Sequence, residues 1–108
     1  MVKLVFKPGV QVRLLDTQLL PGLLTLCHYM EDILQVDKVV ITSVNEGKHK
    51  PGSLHYAGAA VDVRSNVFPN ASIQRVVDAF RAFYPEGPYQ LLWEYVDTPP
   101  EHLHLEFD

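Results

Sequence analysis

The stretch YQLLWEYVDTPPEHLHLEF, residues 89–107, contains two segments of alternating apolar and polar side chains around a turn region with two prolines. Alternation with a period of two is typical of β-strands that bury one face. Residues 89–95 and 102–107 are therefore predicted to form two consecutive strands. Because neighbouring side chains on a strand point to opposite faces, His102 and His104 are expected to project from the same face.

The sequence before this stretch predicts two helices. Apolar residues recur three and four positions apart over residues 14–34, and again in a helix that extends to Tyr84. The expected N-cap residues of the two helices are Asp16 or Thr17 and Asn70 or Ser72. The expected buried stripe of the second helix is Ile73, Val76, Val77, Phe80 and Phe83.

Short apolar or β-branched segments at residues 39–44 and 59–64 predict two further strands, and residues 2–6 are expected to form a short first strand or an ordered arm. The order of elements indicates an α+β fold, with a small, mainly antiparallel sheet and two packed helices. A length of 108 residues is that of one domain, so residues 1–108 are predicted to form a single unit. The composition, 47% hydrophobic and 20% charged, is that of a globular protein and argues against disorder.

Charge and cysteine content exclude several classes of function. The chain has 9 Lys and Arg against 13 Asp and Glu, a net charge of −4, which argues against nucleic acid as a partner. A single cysteine, Cys27, excludes a disulfide framework and a cysteine-based zinc site. No apolar run approaches ~18 residues, so no membrane span is expected. The first nine residues resemble no signal peptide, which predicts synthesis in the cytoplasm.

Two segments carry the residue types of a metal site. The first is SLHYAGAAVD, residues 53–62, and the second is EHLHLE, residues 101–106. Two histidines and one carboxylate suit zinc in its catalytic form, which keeps a fourth position for water. The expected ligands are His55, Asp62 and His104, with His102 as a neighbouring partner. The small residues at positions 58–60 suggest that some other group approaches the backbone closely there.

The first segment matches the S-x-H-x-x-G-x-A-x-D signature of zinc D-Ala-D-Ala carboxypeptidases, and the H-x-H of the second matches the same superfamily. That superfamily includes bacterial and phage peptidoglycan peptidases and the Hedgehog signalling domain. The segment YQLLWE, which ends in Glu94, also resembles a strand of phage-type members and of Hedgehog. The resemblance covers roughly residues 39–107 and implies a Hedgehog/DD-peptidase-like fold.

The resemblance implies a role for each site residue. His55, Asp62 and His104 would bind one zinc ion, Glu94 would be the general base, and His102 would polarise the carbonyl or stabilise the tetrahedral intermediate. Glu101 is the rival base, because Glu101-x-x-His104 resembles the E-x-x-H of related dipeptidases. Glu94 is favoured, since on a regular strand Glu101 points away from His104.

The implied function is hydrolysis of peptidoglycan stem or cross-bridge peptides, of D,D or L,D type, by a monomer acting in the periplasm or cell wall. The alternative is a Hedgehog-like zinc module that binds a partner or the cell wall without turnover. Family peptidases often carry an arginine after the Thr-Ser of the preceding strand, whereas Thr42-Ser43 is followed here by Val-Asn-Glu. Lys48, His49 and Arg64 are the candidate substitutes. A non-haem iron oxygenase would also use two histidines and a carboxylate, but normally in an H-x-D pattern.

Overall fold

Five strands and two helices make up the part of the chain that the computed structural model describes, residues 2–45 and 58–108. The strands are β1 (Lys3–Phe6), β2 (Lys38–Ser43), β3 (Ala60–Arg64), β4 (Tyr89–Glu94) and β5 (His102–Phe107). The helices are α1 (Leu20–Leu34) and α2 (Asn70–Phe83). All the predicted strands and both predicted helices are therefore present, with shifted ends.

The strands form one sheet in the order β1-β2-β3-β5-β4. β1 pairs with β2 in parallel, and the other neighbouring strands pair antiparallel. This arrangement confirms the predicted α+β class with a mainly antiparallel sheet and two helices. β5, the last strand in the chain, lies inside the sheet between β3 and β4.

The register of β5 determines which side chains meet across the sheet. His104 lies opposite Asp62 of β3, and His102 lies opposite Glu94 of β4. Alternation along the strand places Leu103 and Leu105 on the other face, where both are fully buried. One face of β5 is therefore committed to the core, and the other carries the polar residues.

The core lies between the apolar face of the sheet and the two helices. Leu26 and Met30 of α1 and Val76 and Phe80 of α2 are buried in one cluster with the strand residues. The prediction that Phe83 belongs to the buried stripe of α2 is wrong, because its side chain is 57% exposed. Phe83 is the last residue of the helix, beyond the turn that packs on the sheet.

The first helix begins later than predicted. α1 begins at Leu20 and is preceded by a 3-10 turn, Thr17–Leu19, whose N-cap Asp16 accepts a hydrogen bond from the Gln18 N–H. A helix from residue 14 would place Pro21 in its interior, where proline lacks the N–H that bonds to the carbonyl four residues earlier. At its observed position Pro21 falls in the first turn, where that N–H has no helical partner.

The second helix begins without the predicted side-chain cap, whereas Asp16, a predicted cap, makes its hydrogen bond at the start of the first. Its N-cap is Pro69, which makes no side-chain capping bond. Asn70, one of the two expected caps, is the first helical residue and donates from Nδ2 to Oδ1 of Asp97, 2.8 Å away. The amide that was expected to cap the helix thus tethers it to the segment between β4 and β5.

Candidate metal centre

Four side chains that could hold a metal ion meet on the polar face of the sheet. They are Asp62 of β3, Glu94 of β4, and His102 and His104 of β5, and one ligand atom from each lies within 4.8 Å of the others. Their meeting follows from the pairing of three adjacent strands, because each carboxylate lies opposite one of the histidines. The same-face prediction for His102 and His104 is confirmed.

Each imidazole faces both carboxylates. His104 Nδ1 lies 2.9 Å from Asp62 Oδ1 and 3.9 Å from Glu94 Oε1. His102 Nε2 lies 3.0 Å from the same Glu94 oxygen and 3.5 Å from the same Asp62 oxygen. Zinc bonds of roughly 2.0–2.1 Å in a tetrahedron separate neighbouring ligand atoms by about 3.4 Å. The spacing of these atoms is therefore compatible with ligation of one ion.

The chemistry of the donors also fits a metal. Imidazole nitrogen and carboxylate oxygen suit zinc and other divalent first-row metals. Asp62 is 8% exposed, and a buried carboxylate is costly unless a cation or hydrogen-bond donors compensate its charge. The cluster can thus hold a metal ion whose charge would offset two neighbouring carboxylates.

The cluster is buried on one side and open on the other. The side chains of Asp62, His102 and His104 are 11%, 15% and 14% exposed, whereas that of Glu94 is 39% exposed. Glu94 is the last residue of β4 and borders the solvent. A molecule from solution can therefore reach the cluster at Glu94.

The surroundings of His104 favour its positive charge. Burial lowers the pKa of this imidazole, but the hydrogen bond and the charge of Asp62, aided by Glu94 and Glu106, outweigh that effect. The pKa of His104 consequently lies above its ordinary value. The proton that gives His104 its positive charge offsets the negative charge of the nearby carboxylates, and a bound cation would offset that charge in its place.

His102 is oriented by the backbone. Its Nδ1 lies 2.8 Å from the carbonyl oxygen of Pro100, which can only accept a hydrogen bond. Nδ1 therefore carries the proton, and Nε2 is directed towards Glu94. The paired prolines of the turn thus help to set the orientation of a histidine in the cluster.

Glu101, the rival base, lies outside the cluster. It is 6% exposed; Ser65 Oγ donates to its Oε2 over 2.7 Å, and the Asp97 N–H donates to its Oε1 over 2.9 Å. Burial raises the pKa of Glu101, but these hydrogen bonds, the nearby Trp93 and the charge of His102 together bring it below its ordinary value. Among the described residues, the Trp93 indole N–H has no hydrogen-bond partner of normal geometry. The contacts of Glu101 are those of an anchor for the β4–β5 connection.

Of the sequence-predicted residues, Asp62, Glu94, His102 and His104 are brought together, and Glu101 is not. His55 lies outside the described residues, as do the candidate cations Lys48 and His49. A further residue of this face, Glu106, has no predicted role. Its signal was the same two-residue spacing that linked the histidines.

The overlooked residue is Glu106, whose Oε1 lies 3.0 Å from His104 Nε2. It follows His104 by two positions on β5 and shares its face. His104 faces the cluster with Nδ1, whereas Glu106 contacts Nε2 on the opposite side of the ring. His104 is therefore held at both nitrogens.

The small residues of the motif have a structural explanation. Gly58 has a φ of +73°, and a Cβ atom there would lie 2.5 Å from the backbone oxygen of Leu14. The carbonyl of Gly58 also accepts a hydrogen bond from the Asp16 N–H. The predicted close approach to the backbone is thus confirmed at Gly58, where the approaching group is the Leu14 backbone. A side chain is excluded there by both conformation and space.

Arg64, the remaining candidate cation, lies beside the cluster. Together with Lys7, Thr42 and His102 it lines a cavity of about 150 Å³. A cavity of about 720 Å³ lies elsewhere, between the end of α1 and β2, and none of the four cluster residues lines it. Donor chemistry rather than cavity size therefore identifies the candidate site.

Comparisons with protein-family models, with curated proteins and with solved structures find no match for this chain. Among the described residues, no helix is both long enough and apolar enough to cross a membrane.

Proposed function

We propose that this protein is a zinc-dependent peptidase that hydrolyses peptidoglycan stem or cross-bridge peptides in the periplasm or cell wall. In this proposal His55, Asp62 and His104 bind the ion, Glu94 is the general base and His102 assists. The observation that carries the proposal is the position of Glu94. Its carboxylate lies 3.0 Å from His102 and 3.9 Å from His104 at the solvent-facing side of the cluster.

When bound, zinc would supply a water molecule with a pKa near 7 and would polarise the scissile carbonyl. Glu94 is suited to accept the proton of the attacking water and to return it to the leaving nitrogen, because it is both within the cluster and partly exposed. His102 is held at Nδ1 by a backbone carbonyl, so its Nε2 can donate to a developing oxyanion when protonated.

The experiment is hydrolysis of purified muropeptides by the zinc-loaded protein, with and without a chelator. Glu94→Gln keeps the size of the side chain and removes the base, so the rate should fall roughly 10²- to 10⁴-fold. Glu86→Gln removes the same charge at an exposed position outside the cluster and is the matched control. Equal rates for the unmodified protein and Glu94→Gln would refute the catalytic assignment.

The alternative is a zinc module that binds a partner or the cell wall without turnover. It is favoured by the absence of arginine after Thr42-Ser43, where family peptidases often hold the substrate carboxylate. Stoichiometric zinc, no hydrolysis, and cell-wall binding that survives Glu94→Gln would support this alternative. Failure to bind zinc would overturn both functions.

A further inference from the structure

We propose that Glu106 is a positioning residue that presents Nδ1 of His104 to the metal ion. The inference rests on the proposed function, because it assigns a role towards the ion that His104 would bind. It adds a residue that the sequence motif does not contain. Glu106 itself lies on the side of His104 away from the cluster.

Glu106 and Asp62 contact opposite nitrogens of the His104 ring. Oε1 of Glu106 lies 3.0 Å from Nε2 of His104, and Oδ1 of Asp62 lies 2.9 Å from Nδ1. In the described part of the chain, His104 is the only hydrogen-bond partner of the Glu106 side chain. Both side chains are mostly shielded from solvent, at 14% and 18% exposure, so water competes weakly for this hydrogen bond.

The carboxylate of Glu106 also influences which nitrogen of the His104 imidazole carries the proton. An ionised carboxylate only accepts hydrogen bonds, so Glu106 requires a proton on Nε2 of His104, just as Asp62 requires one on Nδ1 while no metal is bound. A metal at Nδ1 would replace that second proton and leave the proton on Nε2, which Glu106 holds. A neutral imidazole with its proton on Nε2 has its lone pair on Nδ1, the nitrogen that faces Asp62 and Glu94. The carboxylate also makes the ring a better donor to a metal, as is common for metal-binding histidines.

The position of Glu106 in the sheet is consistent with a role through His104. On β5 it lies opposite Gln90 of β4 and Ala60 of β3, and neither of these neighbours is charged. The contacts that hold β5 in place are the strand pairings and the buried Leu103 and Leu105. Loss of the Glu106 carboxylate is therefore expected to leave the sheet intact.

The experiment measures the Kd for Zn²⁺ by competition with a chromophoric chelator. Glu106→Ala should weaken binding roughly 10- to 100-fold, the usual effect of removing such an outer partner. Glu106→Gln should weaken it less, because the amide oxygen still accepts the Nε2 hydrogen bond. Asp108→Asn, which removes a charge at an exposed position two residues further on, should leave the Kd unchanged.

A second measurement does not depend on the metal. NMR of the metal-free protein at alkaline pH reports the fraction of His104 with its proton on Nε2, and Glu106→Ala should lower this fraction. If the unmodified protein binds no zinc, the proposed function fails while this shift still tests Glu106. An unchanged Kd in Glu106→Ala, or an unchanged tautomer fraction, would overturn the positioning role.

Discussion

Removing the Ser65 hydroxyl provides a sharp test of the assignment of Glu101 as an anchor. Ser65 is fully buried, and its Oγ lies 2.7 Å from Oε2 of a carboxylate that is 6% exposed. A hydrogen bond to a charged group contributes roughly 1.5–3 kcal/mol, and Ser65→Ala leaves the carboxylate oxygen without this donor. The expected loss is about 2 kcal/mol in the free energy of unfolding.

The corresponding change in melting temperature follows from the chain length. An unfolding entropy of roughly 2.1 cal/mol/K per residue over 108 residues gives about 0.23 kcal/mol/K. A loss of about 2 kcal/mol therefore lowers Tm by about 9 °C. Thermal unfolding followed by circular dichroism measures this shift. Ser72→Ala, a partly exposed serine of α2, is the control and should leave Tm within about 2 °C.

The effect of Ser65→Ala on stability should also depend on pH, because Glu101 is stabilising only in its ionised form. The pKa of Glu101 is lower in the folded protein than its ordinary value of 4.5, so its ionised form stabilises the fold. That contribution is present above pH 4.5 and is lost as the pH falls through the folded pKa. The difference between Ser65→Ala and the unmodified protein should therefore shrink on acidification. A Tm loss below 2 °C, or a difference that does not change with pH, would refute the anchoring role.

The remaining predictions concern the metal, the core and the helix–sheet contact. Zinc at about 100 times its Kd should stabilise the protein by about 2.7 kcal/mol in thermal unfolding, and Asp62→Ala should abolish this effect; equal stabilisation of both would exclude Asp62 as a ligand. Burial raises the pKa of the Cys27 thiol from 9.0 to about 11. The free energy of unfolding should therefore fall by up to about 3 kcal/mol as the pH rises through this interval. The native thiol should resist disulfide reagents that label it after unfolding. Rapid labelling of native Cys27 would contradict its burial. A Cβ at Gly22 would lie 2.4 Å from the Tyr89 ring, so Gly22→Ala should cost about 1–3 kcal/mol in urea unfolding, whereas an unchanged midpoint would show that the ring moves freely.

The strands and the candidate site were predictable because both depend on a short-range pattern. Alternation in residues 89–107 predicts that His102 and His104 share a face and that the preceding strand, residues 89–95, contains Glu94. Selection of Glu94 over Glu101 followed from the same parity, and the structure places only Glu94 in the cluster. The pattern did not predict which strands are adjacent, because strand order depends on contacts between distant parts of the chain.

The errors arose where a local preference met a competing contact. Apolar periodicity continued back to residue 14, whereas α1 begins at Leu20. Asp16, one of the two expected caps, caps the 3-10 turn that precedes the helix. Asn70 has the chemistry of a helix cap, but its amide bonds to Asp97 across the fold. Glu106 received no role from the sequence, because an acidic side chain near the end of a strand has the pattern of an ordinary solvated residue as well as of a site residue. Its two-residue spacing from His104 was the available signal, and the 3.0 Å distance to His104 Nε2 shows the contact.

β5 supplies buried leucines to the core from one face and two histidines to the candidate metal centre from the other, so folding of the sheet also assembles the site. If this strand paired one residue out of register, His102 and His104 would enter the core, while Leu103 and Leu105 would face water. Such a chain would lose its apolar interior and its metal ligands in a single step. Correct folding of the sheet therefore guarantees the geometry of the metal centre. A molecule that has buried Leu103 and Leu105 has already aligned its histidines with Asp62 and Glu94.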